Sequence, residues 1–133
     1  MDLTKWAEAA SGSRLLPEGT VCDVVVVAVT EKYKGDPYSI RVILRILDHP
    51  GMREFPMWLR IPQERSDGTK SNKYYIEARK LMEFVDGFKL DKSKDFNPQH
   101  FKGRRATVIL GFHTTKHGVV IHRIYRFKGA ESC

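Results

Sequence analysis

The sequence predicts a mainly β domain of five strands, with one helix between the third and fourth. The first observation is the segment Tyr38–Leu47 (YSIRVILRIL), in which apolar side chains recur at the period of two expected of a strand with one buried face. The second is one stretch with helical spacing, set between two groups of such segments. The third is length, because 133 residues form one domain that buries about two thirds of its unfolded surface.

Three strands are predicted before the helix. The first, Thr20–Thr30 (TVCDVVVVAVT), is apolar on both parities in its middle, which indicates a strongly curved strand whose halves face different surroundings. Tyr38–Leu47 is the second strand. The third, Phe55–Ile61 (FPMWLRI), is expected to start at an edge or bulge, because Pro56 cannot donate to a ladder.

Alternation assigns the faces of these strands. The residues predicted to face the core are Tyr38, Ile40, Val42, Leu44 and Ile46 in the second strand and Phe55, Met57, Leu59 and Ile61 in the third. If the two strands form a meander, Trp58 and Arg60 share the outer face with Arg41 and Arg45. An arginine pair in mid-strand beside aromatic residues indicates a face that binds an anionic ligand.

The helix is predicted to be capped by Asn72, to run to about Val85 and to stop at Gly87. Its apolar face is expected to contain Tyr75, Ala78, Leu81, Met82 and Val85. Residues 89–103 are predicted to be irregular, with Asn97-Pro98 starting one short turn that ends near Phe101.

Two strands complete the domain, Arg104–His113 and Val119–Lys128. The inward residues of the first are predicted to be Ala106, Val108, Leu110 and Phe112. The register of the last strand stays open, because both sets of alternate positions along it contain apolar and basic residues.

This order of elements is that of the oligonucleotide/oligosaccharide-binding (OB) fold, a five-stranded Greek-key barrel with one helix between strands three and four. An SH3-like barrel or an α+β roll are the alternatives, since order alone does not fix strand pairing. The predicted domain spans residues 17–128. Residues 1–16 are expected to form a flexible lead-in that includes a short amphipathic helix, and residues 129–133 a short tail.

The charge is unevenly distributed along the chain. The net charge is +7, and the stretch 99–130 has seven basic residues and no acidic one, while the rest of the chain has 16 of each sign. A block of one sign attracts polyanions, although a solubilising basic face is the alternative. We expect a soluble, cytoplasmic protein, because the two cysteines show no paired spacing and because the sequence has neither an apolar run of membrane length nor a long apolar leader.

Binding a nucleic-acid strand without sequence preference needs cations along the backbone and flat rings on which bases stack. In an OB barrel the usual surface is the outer face of strands two and three with the loops between strands one and two and between strands four and five. Those elements supply the predicted nucleic-acid-binding residues, namely Lys32, Tyr33, Lys34, Arg41, Arg45, Trp58, Arg60, Lys116 and His117. The structural alternatives are that Trp58 packs beneath residues 89–103 and that Arg41 and Arg45 pair with Glu54.

The chain also resembles the small single-stranded-DNA-binding proteins of phages and prophages. The resemblance covers about residues 15–127 and rests on Leu16-Pro17-Glu18-Gly19 before a valine-rich strand, Lys34-Gly35-Asp36-Pro37 before the alternating strand, the helix near 81–88, and the element 97–105. It implies an OB barrel that binds single-stranded DNA in replication or recombination, in the cytoplasm of a bacterial host. The C-terminal segment 127–133 departs from the acidic tip by which many such proteins recruit partners, so recruitment through the tail is not expected.

Other functions share some of these features. RNA binding uses the same residues, and a replisome or virion adaptor, or a homodimer, would bury Trp58 and Ile43 against a partner. A metal-dependent nuclease would use His113, His117 and His122 as ligands, but no acidic residue or cysteine accompanies them between 99 and 130. No phosphate loop, nucleophile elbow or paired carboxylates occur, so we expect a non-enzymatic protein without cofactor or metal.

Overall fold

The computed structural model describes residues 15–49 and 51–128. Within these ranges five strands and one α-helix follow one another in the predicted order. They are β1 (Val21–Glu31), β2 (Ser39–Ile46), β3 (Phe55–Arg60), α1 (Asn72–Gly87), β4 (Arg105–Thr114) and β5 (Val120–Phe127). Short 3₁₀ turns occupy Tyr33–Gly35 and Pro98–Phe101. The predicted lead-in helix and C-terminal tail lie outside the described residues.

All five strands pair antiparallel in one sheet with the order β3-β2-β1-β4-β5. β1 to β3 form a meander and β4 returns beside β1, which is the strand order of a Greek key. The prediction of a mainly β fold with one helix is therefore confirmed. β3 and β5 form the edges of the sheet. Their Cα atoms approach within 8 Å, but within residues 15–49 and 51–128 no hydrogen-bonded ladder joins them to close a barrel.

β1 belongs to both halves of the sheet. Residues 21–25 pair with β4, whereas residues 24–31 pair with β2. The register with β2 shifts between Val26 and Ala28, which marks a β-bulge at Val27 and increases the local twist. The two halves of the strand thus face different neighbours, as its two-sided apolar pattern predicts.

The core lies on one face of β2 and β3, as alternation predicts. Its members there are Ile40, Val42, Leu44 and Ile46 from β2 and Phe55, Met57 and Leu59 from β3. Two predictions of inward residues are wrong, because Tyr38 and Phe112 are 39% and 36% exposed. Tyr38 precedes β2 in a turn, and Phe112 lies near the hairpin end of β4, beyond the buried Val108 and Leu110.

The helix α1 is capped by Ser71 and not by Asn72 as predicted. The Ser71 hydroxyl accepts a hydrogen bond from the N–H of Tyr74 at 3.3 Å. The helix ends at Gly87, the predicted stop, and the chain then reverses through Lys89, which has φ 57°. In the described part of the chain no helix is long and apolar enough to cross a membrane.

The buried face of α1 differs from the predicted face. Leu81 and Val85 are buried as expected, but Tyr75 and Met82 are 55% and 42% exposed, and Phe84 is buried in their place. An aromatic cluster explains the rotation, since the ring centroids of Phe84, Phe88, Phe101 and Phe127 lie 5.1–6.1 Å apart in successive pairs. Edge-to-face packing of these rings attaches the helix and the 98–101 turn to the sheet.

The predicted turn after the helix is confirmed. The Asn97 side chain accepts the N–H of Gln99 at 3.0 Å, Pro98 occupies the first position, and Phe101 is fully buried. This turn lies in the connection from α1 to β4.

A bulge in β5 explains why its register could not be assigned from alternation. Ile109 pairs with Arg126 and Leu110 pairs with Ile124, which leaves Tyr125 without an opposite residue. The inward parity therefore changes between Ile124 and Phe127, both of which are buried.

Candidate functional site

The outer face of the sheet is organised in rows of paired residues across β1, β2 and β3. The first row is Thr30, Arg41 and Trp58, and the second is Ala28, Ile43 and Pro56. Ser39 and Arg60 pair beside the first row. The predicted meander and the shared face of Arg41, Arg45, Trp58 and Arg60 follow from this register.

Rings and one guanidinium form a continuous line across this face. The Arg41 guanidinium lies 4.9 Å from the centroid of the Tyr33 ring, a cation–π distance. Arg41 is the cross-strand partner of Trp58, and the Trp58 ring centroid lies 6.1 Å from that of His113. We call Tyr33, Arg41, Trp58 and His113 the aromatic row. It runs from the β1–β2 loop over β2 and β3 and then, beyond the β3 edge of the sheet, to the end of β4.

The β1–β2 loop presents the row's first ring in an unusual backbone conformation. Lys32 and Lys34 have φ 52° and 54°, in the left-handed region that costs non-glycine residues about 1–2 kcal/mol each. Both lysines are exposed, and the Lys34 Nζ lies 5.6 Å from the centroid of the half-buried Tyr33 ring. The Asp36 carboxylate accepts the N–H of Tyr38 at 2.9 Å and fixes the end of the loop. Two lysines therefore flank the row on a loop with a defined shape.

Arg41 lies at the centre of the row with part of its hydrogen-bonding capacity unused. Its Nε is buried and has no hydrogen-bond acceptor among the described residues. Nor does any carboxylate of the described residues form an ion pair with it, so the predicted alternative of pairing with Glu54 does not apply to Arg41. The charge of this half-buried guanidinium is therefore not balanced by a described carboxylate, which leaves it available to an anionic ligand such as a phosphate.

Arg45 and Arg60 differ from Arg41, because each already has an acidic partner. Arg45 Nη2 lies 2.6 Å from Glu54 Oε2, which confirms the pairing alternative for this arginine. Arg60 contacts Asp36 and Glu77, with its Nε 2.8 Å from the Glu77 carboxylate. The Arg60 hydrogen bond is the main cause that lowers the pKa of Asp36, and it raises the pKa of Arg60 in return. Both arginines lie on the predicted face with their charges balanced.

Lys116 and His117 lie at the exposed tip of the β4–β5 hairpin. The tip is closed by the N–H of Gly118, which donates to the Thr115 carbonyl at 2.9 Å, and by the Thr115 hydroxyl, which accepts from Val119. Both residues extend from the same hairpin whose β4 strand contributes His113 to the aromatic row. The structure thus assigns them to a loop next to the face and not to the row itself.

The chain was compared with protein-family models and with curated proteins. Neither comparison gives a match. The geometry of the aromatic row and the charges around it therefore carry the functional conclusion.

The three hairpin histidines are not brought together as metal ligands. His122 is 2% exposed and its Nε2 accepts the N–H of Leu16 at 2.8 Å, whereas His113 and His117 are exposed. Burial lowers the pKa of His122, which suits an unprotonated acceptor. Among residues 15–49 and 51–128 no group of three or more His, Cys, Asp or Glu side chains could hold a metal ion.

Sequence reasoning missed His113 as part of the binding face. The signal was present, because Ile109, Gly111 and His113 occupy the parity of β4 opposite to Val108 and Leu110. The proximity of His113 to Trp58 could not be predicted, since it depends on how the sheet curves and brings its β3 edge close to the β4–β5 hairpin.

Proposed function

We propose that the protein binds single-stranded DNA, largely without sequence preference, on the outer face of β1, β2 and β3. The observation that carries this proposal is the aromatic row, in which two rings flank a guanidinium that forms no ion pair with any described carboxylate. Bases stack on Trp58 and Tyr33, and Arg41 donates to a phosphate or base oxygen. Stacking accepts every base, because all four have a flat π-face.

Charge around the row favours a polyanion over a neutral ligand. Lys32 and Lys34 flank Tyr33, and Lys116 extends from the neighbouring hairpin. Among the described residues none of these lysines has a carboxylate within ion-pair distance. They attract the phosphate backbone without recognising sequence.

We propose that the sheet is an OB-type barrel. The Greek-key order β3-β2-β1-β4-β5 with α1 between β3 and β4 supports this assignment, and so does the approach of the two edge strands. In that fold the β2–β3 face and the β1–β2 and β4–β5 loops form the ligand surface, which is where the aromatic row and the lysines lie. The proposed role is the non-enzymatic coating of single strands in phage-type replication or recombination, in the cytoplasm of a bacterial host.

A fluorescence titration tests the proposal. A Trp6→Phe background leaves Trp58 as the single indole of the chain. Unlabelled oligothymidine is expected to quench Trp58, a matched duplex to quench it less, and added salt to weaken both effects. Trp58→Ala should weaken binding by about 1–3 kcal/mol, roughly 5- to 150-fold, whereas Trp58→Phe should retain part of the affinity.

If a mobility-shift assay shows that Trp58→Ala binds as tightly as the wild type, Trp58 is not part of the site. If neither nucleic acid binds, the proposal fails and the protein-interaction alternative takes its place, for which a stable dimer that shields Trp58 would be the supporting observation. An oligouridine of the same length, run in parallel, decides whether the face distinguishes DNA from RNA through the 2′-hydroxyl.

A further inference from the structure

A second basic surface lies where the two edge strands of the sheet approach each other. A groove of about 380 Å³ runs between β3, β5 and the exposed side of α1. Its charged and aromatic lining consists of Trp58 from β3, Arg79, Lys80 and Glu83 from α1, His113 from β4, and Arg123 and Tyr125 from β5, so that Trp58 and His113 belong to the aromatic row as well. We call it the seam groove, because it follows the unpaired seam between β3 and β5.

The seam groove has more positive than negative charge. Arg79, Lys80 and Arg123 are opposed by one carboxylate, Glu83. In the described part of the chain none of the three cations forms an ion pair. Burial and the nearby Arg123 both lower the pKa of Lys80, since two cations share one partly desolvated space. An anion in the groove would relieve this repulsion.

Local structure holds Arg123 and Tyr125 in the groove. Arg123 pairs with Gly111 of β4, and a Cβ at position 111 would lie 3.3 Å from Arg123 Nε. The glycine therefore gives the arginine room to lie across the neighbouring strand. Tyr125 is the bulged residue of β5 and is 62% exposed, and the Arg123 guanidinium lies 5.8 Å from its ring centroid.

We propose that the seam groove binds the phosphate backbone of a single strand that continues from the aromatic row. Arg79, Lys80 and Arg123 contact phosphates, and a base stacks on Tyr125. Trp58 lines the groove and also belongs to the aromatic row, so one strand passes from one surface to the other without a gap. This inference rests on the proposed function and adds a second set of contacts to it.

Oligonucleotides of two lengths distinguish the contacts made by the aromatic row from those made by the seam groove. OB folds cover about 4–16 nucleotides, so an oligothymidine of about 6 fills the aromatic row and one of about 16 also reaches the groove. The test variants are the double change Arg79→Gln/Arg123→Gln and the single change Tyr125→Ala. The matched control is Lys94→Gln, because Lys94 lines a different groove on the other side of α1.

The groove variants should bind the long oligonucleotide more weakly, by roughly 5-fold or more for Tyr125→Ala, and the short one like the wild type. For the long oligonucleotide, the double variant should also make the slope of log affinity against log salt less negative by about 1.4. Gly111→Ala provides a milder variant of unchanged charge, because its Cβ would lie 3.3 Å from Arg123 Nε and shift that side chain slightly, so its loss of affinity for the long oligonucleotide should be smaller than that of the double variant. The control should match the wild type at both lengths.

Three outcomes would overturn the proposal. If the groove variants bind both lengths like the wild type, the groove is not a contact surface, while the function proposed for the aromatic row stands. If they lose affinity equally for both lengths, the groove is not a separate part of the strand's path. If the wild type binds neither oligonucleotide, the proposed function fails, and the groove proposal fails with it.

Discussion

Releasing Arg45 from its ion pair should increase the salt dependence of DNA binding. Six cations were predicted on the face and its loops, Lys32, Lys34, Arg41, Arg45, Arg60 and Lys116, and the structure pairs Arg45 and Arg60 with carboxylates. For a strand short enough to contact only the face, four unpaired cations predict a slope of log affinity against log salt near −2.8, at about −0.7 per phosphate.

Glu54→Gln removes the partner of Arg45 and makes a fifth cation available. The slope should steepen to about −3.5, and affinity at low salt should rise. Because the pair is exposed, at 57% and 40%, it contributes only about 0.2–1 kcal/mol to stability, so the variant should fold. The assay is a titration of a short oligothymidine at several salt concentrations.

The matched control is Asp86→Asn. It removes one carboxylate and releases one cation, Lys92, whose Nζ lies 2.5 Å from Asp86. Lys92 lines the groove on the other side of α1, away from the proposed strand path. An unchanged slope for Glu54→Gln would show that Arg45 does not contact the backbone, and an equal change in the control would show that only net charge counts.

Two further predictions concern the scaffold. Gly87→Ala should destabilise the fold by about 1–3 kcal/mol, because its Cβ would lie 2.2 Å from the Phe127 ring and overpack the core. This cost exceeds the stabilisation of up to about 1 kcal/mol that alanine gives a helix relative to glycine. A urea midpoint at or above that of the wild type would contradict this contact. Burial lowers the pKa of His122 below 6.5, so the unfolded chain takes up the proton first and stability should fall as pH drops below about 6.5. His122→Gln should flatten this dependence between about pH 7.5 and 5, and an unchanged profile would assign it to other groups.

Alternation predicted the parts of the fold that are regular. β2 and β3 have a strict period of two, so their buried and outward residues could be assigned from the sequence, and Trp58 and Arg41 were placed on one face correctly. The ion pairs of Arg60 could not be predicted. They join β3 to Asp36 in a loop and to Glu77 in the helix, and only the folded chain brings these three residues together.

The helix shows a different limit of sequence reasoning. Spacing by three and four fits Tyr75 and Met82 as well as Leu81 and Val85, since apolar residues occur on more than one side of α1. The choice between the faces is made by Phe127 of β5, against which Phe84 packs with ring centroids 5.1 Å apart. Tertiary packing thus decides which of two amphipathic faces is buried.

The β5 bulge explains both why the register of β5 stays open in the sequence and why Phe127 reaches the core. Without it, strict alternation from the buried Ile124 would direct Arg126 inward and leave Phe127 outside. The extra residue restores Phe127 to the aromatic cluster, while Tyr125 lies exposed beside Arg123 at the edge of the sheet. Arg123 and Tyr125 face outward by alternation from Ile124 itself, so the bulge brings Phe127 to the core and leaves Tyr125 without a cross-strand partner, but it does not create the seam groove.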